Sequence, residues 1–272
     1  MEEPITQEQR LDYLLEAFQA DSDEYKDLEL PADTDGKRRI LRSLMNIRMP
    51  HRMDEAVLRV QDDYLRERIQ ENGIVRLTDI PVLRECLSVW QGDITRLAVD
   101  AIVNAANSQM LGCFVPMHAC IDNCIHTFAG VQLRAECSRK MDQLRIQYGV
   151  HYEQPTAVPM LTEGYNLPAG KIIHIVGPIV RHRLTPELEQ GLADCYSRTL
   201  DLCLEQGLKS VAFCCISTGV FRFPNERAAE IAVSTVMKWL FEHPNAMERV
   251  IFNVFKDEDR RYYEEFLKEI RI

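Results

Sequence analysis

Val99-Asp-Ala-Ile-Val-Asn104-Ala-Ala-Asn107 combines an apolar run of strand length with two carboxamides at its end. Apolar residues with little alternation are typical of a strand that is buried on both faces of a sheet. A helical pattern begins at Ile121, after a loop rich in sulfur and nitrogen ligands. The sequence therefore predicts a central strand and a following loop that together present polar side chains to a cleft.

The same alternation of strands and helices continues on both sides of this stretch. Other apolar runs of strand length are Cys86–Gln91, Lys171–Val176, Ser210–Ile216 and Arg249–Val254. Helical patterns cover Ile121 to about Met141, Pro186 to about Gln206, Asn225 to about Phe241 and Asp257–Ile270. This order predicts an α/β fold, a three-layer α/β/α domain over residues 85–272 with a largely parallel or mixed central sheet.

Residues 1–84 have a different pattern, which predicts a helical N-terminal extension. Thr6 stands where a helix N-cap is expected, and apolar residues follow at helical spacing from Leu11 to Phe18. Two further helical patterns follow, over residues 37–45 and 53–60, and an acidic segment and Met49-Pro50 mark the connections between them.

Net charge, the length of apolar runs and the cysteine count argue against several classes of protein. The 272 residues carry a net charge of −10, which argues against nucleic acid as a main partner because phosphate binding needs clustered Lys and Arg. No signal peptide and no membrane-spanning apolar run are evident. Nine cysteines without an export signal indicate reduced thiols. We therefore expect a cytoplasmic protein with no membrane partner.

Cys113, His118 and Cys120 lie within eight residues and predict a metal site, most plausibly for Zn²⁺. Three protein ligands would leave the fourth tetrahedral position for water or substrate. Cys124, one helical turn further, could instead close the site as a fourth ligand. Alternatively, the two thiols are buried beside an unrelated histidine; a zinc finger is disfavoured because no partner pair sits at finger spacing.

Three loops follow predicted strands, where ligands bind in such folds. Gly92-Asp93-Ile94-Thr95 could end a strand with a turn, or Asp93 could accept an exocyclic amine of a base. Asn104 and Asn107 could serve turns or bind ribose hydroxyls. Ile216-Ser217-Thr218-Gly219-Val220-Phe221 could be ordinary turn chemistry or an anion site made of backbone amides. Asp122 is predicted to be a helix N-cap, and its carboxylate would also face a ligand held over the loop.

Together these motifs resemble a macrodomain, the ADP-ribose-binding fold, over roughly residues 85–272. The resemblance also runs through Ile121-Asp-Asn-Cys-Ile-His126 and Gly164-Tyr-Asn-Leu-Pro-Ala-Gly-Lys-Ile-Ile-His-Ile-Val-Gly-Pro178. Cys113 to Cys120 stands where other hydrolytic macrodomains have a glycine-rich loop. With the helical extension, this is similar to the zinc-dependent macrodomain branch of microbial protein-ADP-ribose hydrolases.

The resemblance implies a role for each motif. Asp93 would bind the adenine amine with the Ile94 backbone beside it, and Asn107, helped by Asn104, would bind the distal ribose. Zinc on Cys113, His118 and Cys120 would face that ribose, as would Ile121 and Asp122. The implied pyrophosphate loop comprises Ser217, Thr218, Gly219, Val220 and Phe221, with Phe221 lining the distal ribose. The catalytic residues would be Asp122 and Asn107.

The implied activity is zinc-dependent removal of mono-ADP-ribose from modified, acidic protein side chains. The family resemblance also implies a partner, a lipoyl-carrier protein modified by a sirtuin-type transferase. The chief alternative is a non-catalytic reader of ADP-ribose, and a lesser one is a hydrolase of free ADP-ribose esters. An open metal site favours the enzyme, because recognition alone does not require zinc.

Overall fold

A computed structural model describes residues 6–270, which form eight α-helices and eight strands. The helices are α1 (Gln7–Ala20), α2 (Thr34–Ile47), α3 (Glu55–Asn72), α4 (Ile121–Ala129), α5 (Val131–Tyr148), α6 (Pro186–Glu205), α7 (Asn225–Glu242) and α8 (Asp257–Glu269). The strands are β1 (Val75–Arg76), β2 (Leu87–Gln91), β3 (Leu97–Ala98), β4 (Ala101–Ala106), β5 (Met160–Glu163), β6 (Lys171–Val176), β7 (Ser210–Phe213) and β8 (Arg249–Val254).

Six strands form the central sheet in the order β2-β8-β7-β4-β6-β5. All neighbours are parallel except the edge strand β5, which is antiparallel to β6. The predicted mixed sheet is therefore confirmed. The chain moves from β4 to β6 on one side and then crosses back to β7 on the other side of β4. The strand order thus reverses between β4 and β7, and a crevice is expected there at the carboxyl ends of the strands.

Helices cover both faces of this sheet, which confirms the three-layer α/β/α architecture. Helices α4 and α5 contact each other and the strands β4 and β5, whereas α6, α7 and α8 form a second contiguous group. The strands between them are buried throughout, as in Ile102, Ile173 and Val211, none of which is exposed. Burial on both faces explains why these strands are apolar without alternation.

The N-terminal extension is helical, as predicted, and has a small core of its own. Thr6 caps α1 in a capping box with Gln9, which confirms the predicted N-cap. Leu14 and Leu15 are fully buried in this core, to which α5 contributes Val131. The extension also pairs with the rest of the chain, because β1 lies parallel to β3. The division at residues 84 and 85 remains a prediction.

Two predicted boundaries are wrong, and three short strands were not predicted. The strand expected over Ser210–Ile216 ends at Phe213, where the chain turns into a loop. The single helix expected from Ile121 to Met141 is two helices separated by Gly130. The strands β1 and β3 have two residues each and β5 has four, too few for a clear periodic pattern.

Gly130 ends α4 because its backbone has φ 99° and ψ 168°, a conformation that only glycine adopts without strain. A Cβ here would lie 2.7 Å from both Gln132 Oε1 and Gln61 Nε2. Gln61 belongs to α3, and its Oε1 accepts a hydrogen bond from Val131 N at 3.1 Å. The break between α4 and α5 is therefore one of the places where the extension packs against the sheet domain.

No helix within residues 6–270 is long and apolar enough to cross a bilayer.

The Gly130 break predicts a stability difference between two glycine substitutions. Gly149 shares the conformation, with φ 111° and ψ 155°, but a Cβ there would meet nothing within 4 Å. Gly149→Ala should therefore show strain alone, about 1–3 kcal/mol. Gly130→Ala should cost about 1 kcal/mol more, because the new methyl group separates the Gln61 and Gln132 amides and breaks their hydrogen bond. Urea unfolding measures both, and equal losses would contradict this account.

Candidate active site

Loops after three parallel strands lie at the sheet edge where a crevice is expected, beside the ends of β4 and β7. Asp93 follows β2, Asn107 follows β4, and Ser217 follows β7. The 3-10 turn of Ile94–Arg96 also contacts α4, so the loop after β2 lies near the start of that helix. The structure thus brings the predicted loops to one edge of the sheet.

The loop from Ser217 to Phe221 leaves several amides without partners. Ser217 has φ 67°, and its carbonyl accepts a hydrogen bond from Phe223 N at 3.0 Å, which closes the loop. Within residues 6–270, the backbone N–H groups of Gly219, Val220 and Phe221 donate to no acceptor. A Cβ on Gly219 would meet nothing within 4 Å, so open space lies over this position. Consecutive free amides are suited to an anion.

Gly177, after β6, makes room for this loop. A Cβ at Gly177 would lie 2.1 Å from Ser217 Oγ and 2.7 Å from Ile216 Cγ2. The Ser217 hydroxyl is buried and has no hydrogen-bond partner among the described residues. A larger residue at position 177 would therefore force the Ser217 and Ile216 side chains to move. Of the other predicted loop residues, Thr218 and Phe221 are half-buried and Val220 is exposed.

Asp122 is buried in the first turn of α4, with both carboxylate oxygens directed to carboxamides. Asn104 Nδ2 donates to Oδ1 at 2.8 Å, and Asn107 Nδ2 approaches Oδ2 at 3.5 Å. Burial raises the pKa of Asp122 to about 6, while the Asn104 hydrogen bond and the charge of Arg134 act in the opposite direction. The prediction that Asp122 is the helix N-cap is wrong, because Cys120 occupies that position.

A buried histidine makes a second contact with the Asn104 side-chain amide. Asn104 Nδ2 also lies 3.0 Å from His174 Nδ1, and His174 Nε2 lies 2.9 Å from Thr162 Oγ1. Since the amide nitrogen donates, Nδ1 is the acceptor and the ring proton is on Nε2. Burial lowers the pKa of His174 to about 3, so the ring is neutral. Asn104 is itself fully buried and therefore acts on the crevice through Asp122.

The three predicted metal ligands come together. The donor atoms of Cys113, His118 and Cys120 lie within 4.8 Å of one another, and none of the three residues is buried. Cys113 Sγ lies 3.6 Å from His118 Nδ1. Tetrahedral zinc with bonds of about 2.3 Å to sulfur and about 2.0–2.1 Å to nitrogen separates such atoms by about 3.5–3.6 Å. The donor set and its spacing therefore fit zinc.

The electrostatics of this cluster favour a cation. Partial burial raises the pKa of the Cys120 thiol, and the neighbouring Cys113 raises it further. A positive charge beside the Cys120 sulfur would oppose both effects and stabilise its thiolate. Cys124, the predicted alternative ligand, does not belong to the group of donor atoms within 4.8 Å. The cluster could therefore hold a metal with three ligands from the chain.

Side chains of α4 and α5 hold the loop that carries these ligands. Asn123 Nδ2 donates to the carbonyls of Cys113 at 3.3 Å and Val115 at 2.9 Å. Arg134 Nε donates to Leu111 O at 2.7 Å, and its guanidinium lies 4.2 Å from the Phe114 ring centroid. The other end of Arg134 reaches the carbonyls that end α2, at Met45, Asn46 and Arg48.

Three further predicted residues lie near this crevice. Asp93 Oδ1 caps the 3-10 turn by accepting hydrogen bonds from Thr95 N at 3.0 Å and Thr95 Oγ1 at 2.7 Å. Its Oδ2 has no hydrogen-bond partner in the part of the chain that the structure describes. Ile94 is buried, whereas Ile121 is half-buried at the start of α4. The roles of these residues toward adenine and ribose remain predictions.

Known proteins share these features. A family described as the Macro domain matches residues 103–232. A Protein-ADP-ribose hydrolase from Treponema medium is 46% identical over 267 residues, which cover 97% of this chain and 100% of that protein. The chain belongs to the macrodomain family. Its similarity to proteins named protein-ADP-ribose hydrolase extends over the helical extension as well as the sheet.

Solved macrodomains have the same fold. A mutant Oceanobacillus iheyensis macrodomain with ADPR is 35% identical, with a TM-score of 0.61, and the alignment covers 70% of this chain and 96% of that one. The Trypanosoma brucei macrodomain in complex with ADP-ribose is 27% identical, with a TM-score of 0.63, and the alignment covers 82% and 94% of the two chains.

Sequence reasoning did not find several residues that shape this macrodomain's site. Arg134 and Thr162 lie in elements without a recognisable motif. Asn123 and His174 stood inside quoted motifs, but their types alone did not indicate their partners. Gly177 was a detectable signal, since a glycine directly after a buried strand indicates close approach of another backbone.

The position of Arg134 predicts a large loss of stability in Arg134→Met. The side chain is buried, and its removal leaves the carbonyl of Leu111 and those at the end of α2 without a donor. We expect unfolding free energy to fall by about 2–5 kcal/mol. Arg139→Met, on the exposed side of α5, is the matched control and should change it by less than about 1 kcal/mol. Similar urea unfolding curves for both variants would refute this role.

Proposed function

We propose that this macrodomain is a zinc-dependent protein-ADP-ribose hydrolase that removes mono-ADP-ribose from modified protein side chains. The relatives of that name, matched over nearly the whole chain, support the reaction. The observation that carries the proposal is structural: a loop of unpartnered amides follows β7, and beside it β4 holds through Asn104 a buried carboxylate, Asp122, that stands two residues after the metal-ligand candidate Cys120.

Binding would use backbone groups more than charged side chains. The free N–H groups of Gly219, Val220 and Phe221 would hold the diphosphate, and the Asp93 oxygen Oδ2 would accept the adenine amine. Phe221 would lie beside the distal ribose. Anion binding by amides is compatible with a net charge of −10, because it requires no patch of Lys or Arg.

Asp122 is the group that would position or deprotonate the attacking water. Its carboxylate is held by Asn104 and Asn107, so it enters the reaction in a fixed orientation. A pKa of about 6 leaves it largely ionised at neutral pH and yet more basic than an ordinary aspartate. Asn107 would add a hydrogen bond to the distal ribose from the same side.

Cys113, His118 and Cys120 would hold the zinc, and Ile121 would face the ribose beside them. When bound, zinc would supply positive charge that orients the distal ribose and eases deprotonation of the attacking water. The spacing of the donor atoms supports this assignment. We further propose an acidic acceptor side chain, a lipoyl-carrier protein modified by a sirtuin-type transferase as partner, and a cytoplasmic location.

Asp122→Asn separates hydrolysis from mere binding. The variant retains an oxygen for Asn104 but loses the charge and basicity of the carboxylate. ADP-ribose affinity should stay within about tenfold, whereas release of ADP-ribose from a modified protein should slow by about 10² or more. Asp142→Asn, on the exposed side of α5, should behave like the parent. The measurements are calorimetry and single-turnover release.

Two outcomes of that experiment would contradict the proposal in different ways. Release at the parental rate by Asp122→Asn would remove Asp122 from the chemistry. A parent that binds ADP-ribose but releases none from any modified protein would be a reader, not an enzyme.

The zinc assignment predicts about one zinc per chain in protein purified without added metal. Cys120→Ala should lose this metal and the hydrolase activity but keep its circular dichroism spectrum, because the sheet core lies elsewhere. Cys86→Ala, at a half-buried thiol before β2, is the control and should retain both. Metal-free parent protein with full activity, checked by elemental analysis, would exclude zinc.

A further inference from the structure

Helix α2 of the N-terminal extension faces the metal-binding loop with two polar side chains one turn apart. Asn46 is fully buried; its Oδ1 accepts a hydrogen bond from Met117 N at 3.1 Å, and its Nδ2 donates to Thr127 Oγ1 at 2.9 Å. Arg42, four residues earlier, contacts the next residue of the loop. The extension therefore supplies part of the environment of the candidate metal site, more than 60 residues away in sequence.

One nitrogen of the Arg42 guanidinium contacts the loop, Asn123 and Cys124. Its Nη2 lies 2.9 Å from His118 O, 2.9 Å from Asn123 Oδ1 and 3.6 Å from Cys124 Sγ. The first two are charge-assisted hydrogen bonds, which are stronger than bonds between neutral groups. They fix the guanidinium between the loop and the Cys124 sulfur.

Cys124 would otherwise be a natural fourth ligand. It follows Cys120 by one helical turn, so both thiols are on the same face of the chain, and its backbone N–H donates to Cys120 O at 3.1 Å. Its sulfur touches the same Arg42 nitrogen as the carbonyl of the ligand His118, which places it next to the loop. A third thiolate would give the closed, four-ligand geometry that is typical of structural zinc.

We propose that Arg42 is a positioning residue that keeps Cys124 out of the ligand set and so keeps the metal site open. The guanidinium contacts the Cys124 sulfur at 3.6 Å, and this sulfur lies outside the group of donor atoms formed by Cys113, His118 and Cys120. Displacing it would break the hydrogen bonds to His118 and Asn123. This inference rests on the zinc of the proposed function, but it concerns which thiols bind the metal and not whether hydrolysis occurs.

Counting sulfur ligands by X-ray absorption at the zinc edge tests the inference in the intact 272-residue chain. The parent should show two sulfur ligands, and Cys124→Ser should leave that number unchanged. Arg42→Met should show three sulfur ligands and lose turnover, because the open position is filled. Arg42→Met combined with Cys124→Ser should return to two. Arg39→Met, the same substitution at an exposed position of α2, should resemble the parent.

The possible outcomes are distinguishable. Arg42→Met with two sulfur ligands, or without zinc, would overturn the role of Arg42. The role of Arg42 would also be overturned if the parent had three sulfur ligands and Cys124→Ser had two. That comparison needs no Arg42 variant, so it tests the role even if Arg42→Met does not fold. A parent without zinc would refute the metal of the proposed function itself, whereas an inactive parent with two sulfur ligands would refute only the proposed reaction.

Discussion

The loop from Leu111 to Cys120 contains no helix or strand, and several of its backbone polar groups are paired with side chains from other parts of the chain. Buried or half-buried N–H and C=O groups without partners are costly, and few are left so in folded proteins. Asn46 bonds to the N–H of Met117, Asn123 to the carbonyls of Cys113 and Val115, and Arg134 to the carbonyl of Leu111. Three helices are thereby fixed around one loop.

This requirement links the extension to the sheet domain. Arg134 bonds at one end to the loop and at the other to the carbonyls that end α2, so a single buried guanidinium joins both units. Burial lowers the pKa of Arg134 to about 10, which still leaves it charged at neutral pH. The break at Gly130 adds a second junction, where Gln61 of α3 accepts a hydrogen bond from Val131 N. The helical extension therefore packs as part of the site and not only as a separate appendage.

The electrostatics of the crevice depend on neutral donors. The side-chain amides of Asn104 and Asn107 face the Asp122 carboxylate, and the neutral His174 contacts the Asn104 amide. The loop after β7 offers backbone amides to an anion. An acidic chain can in this way present an anion site beside a buried carboxylate, because oriented dipoles carry no net charge and add little to long-range repulsion.

The sequence by itself determined the features that are local. Unbroken apolar runs identified β4 and β6 as buried strands, and the threonine before the first helical pattern identified the start of α1. Because the ends of parallel strands share one edge, the loops that contain Asp93, Asn107 and Ser217 could be assigned to one crevice. Close spacing also identified Cys113, His118 and Cys120 as a group, since eight residues of chain cannot separate them far.

Only the tertiary structure decided which distant side chains complete the site. Arg42 and Asn46 bond to the loop with the candidate metal ligands, Arg134 bonds to the end of α2, and Thr162 on an edge strand bonds to His174. Hydrophobic periodicity predicts which face of a helix or strand is buried. It carries no information about which backbone group of another element lies opposite that face. The surroundings of Gly130 depend on such packing too, because one of the two nearest neighbours that a side chain there would meet is Gln61 of α3.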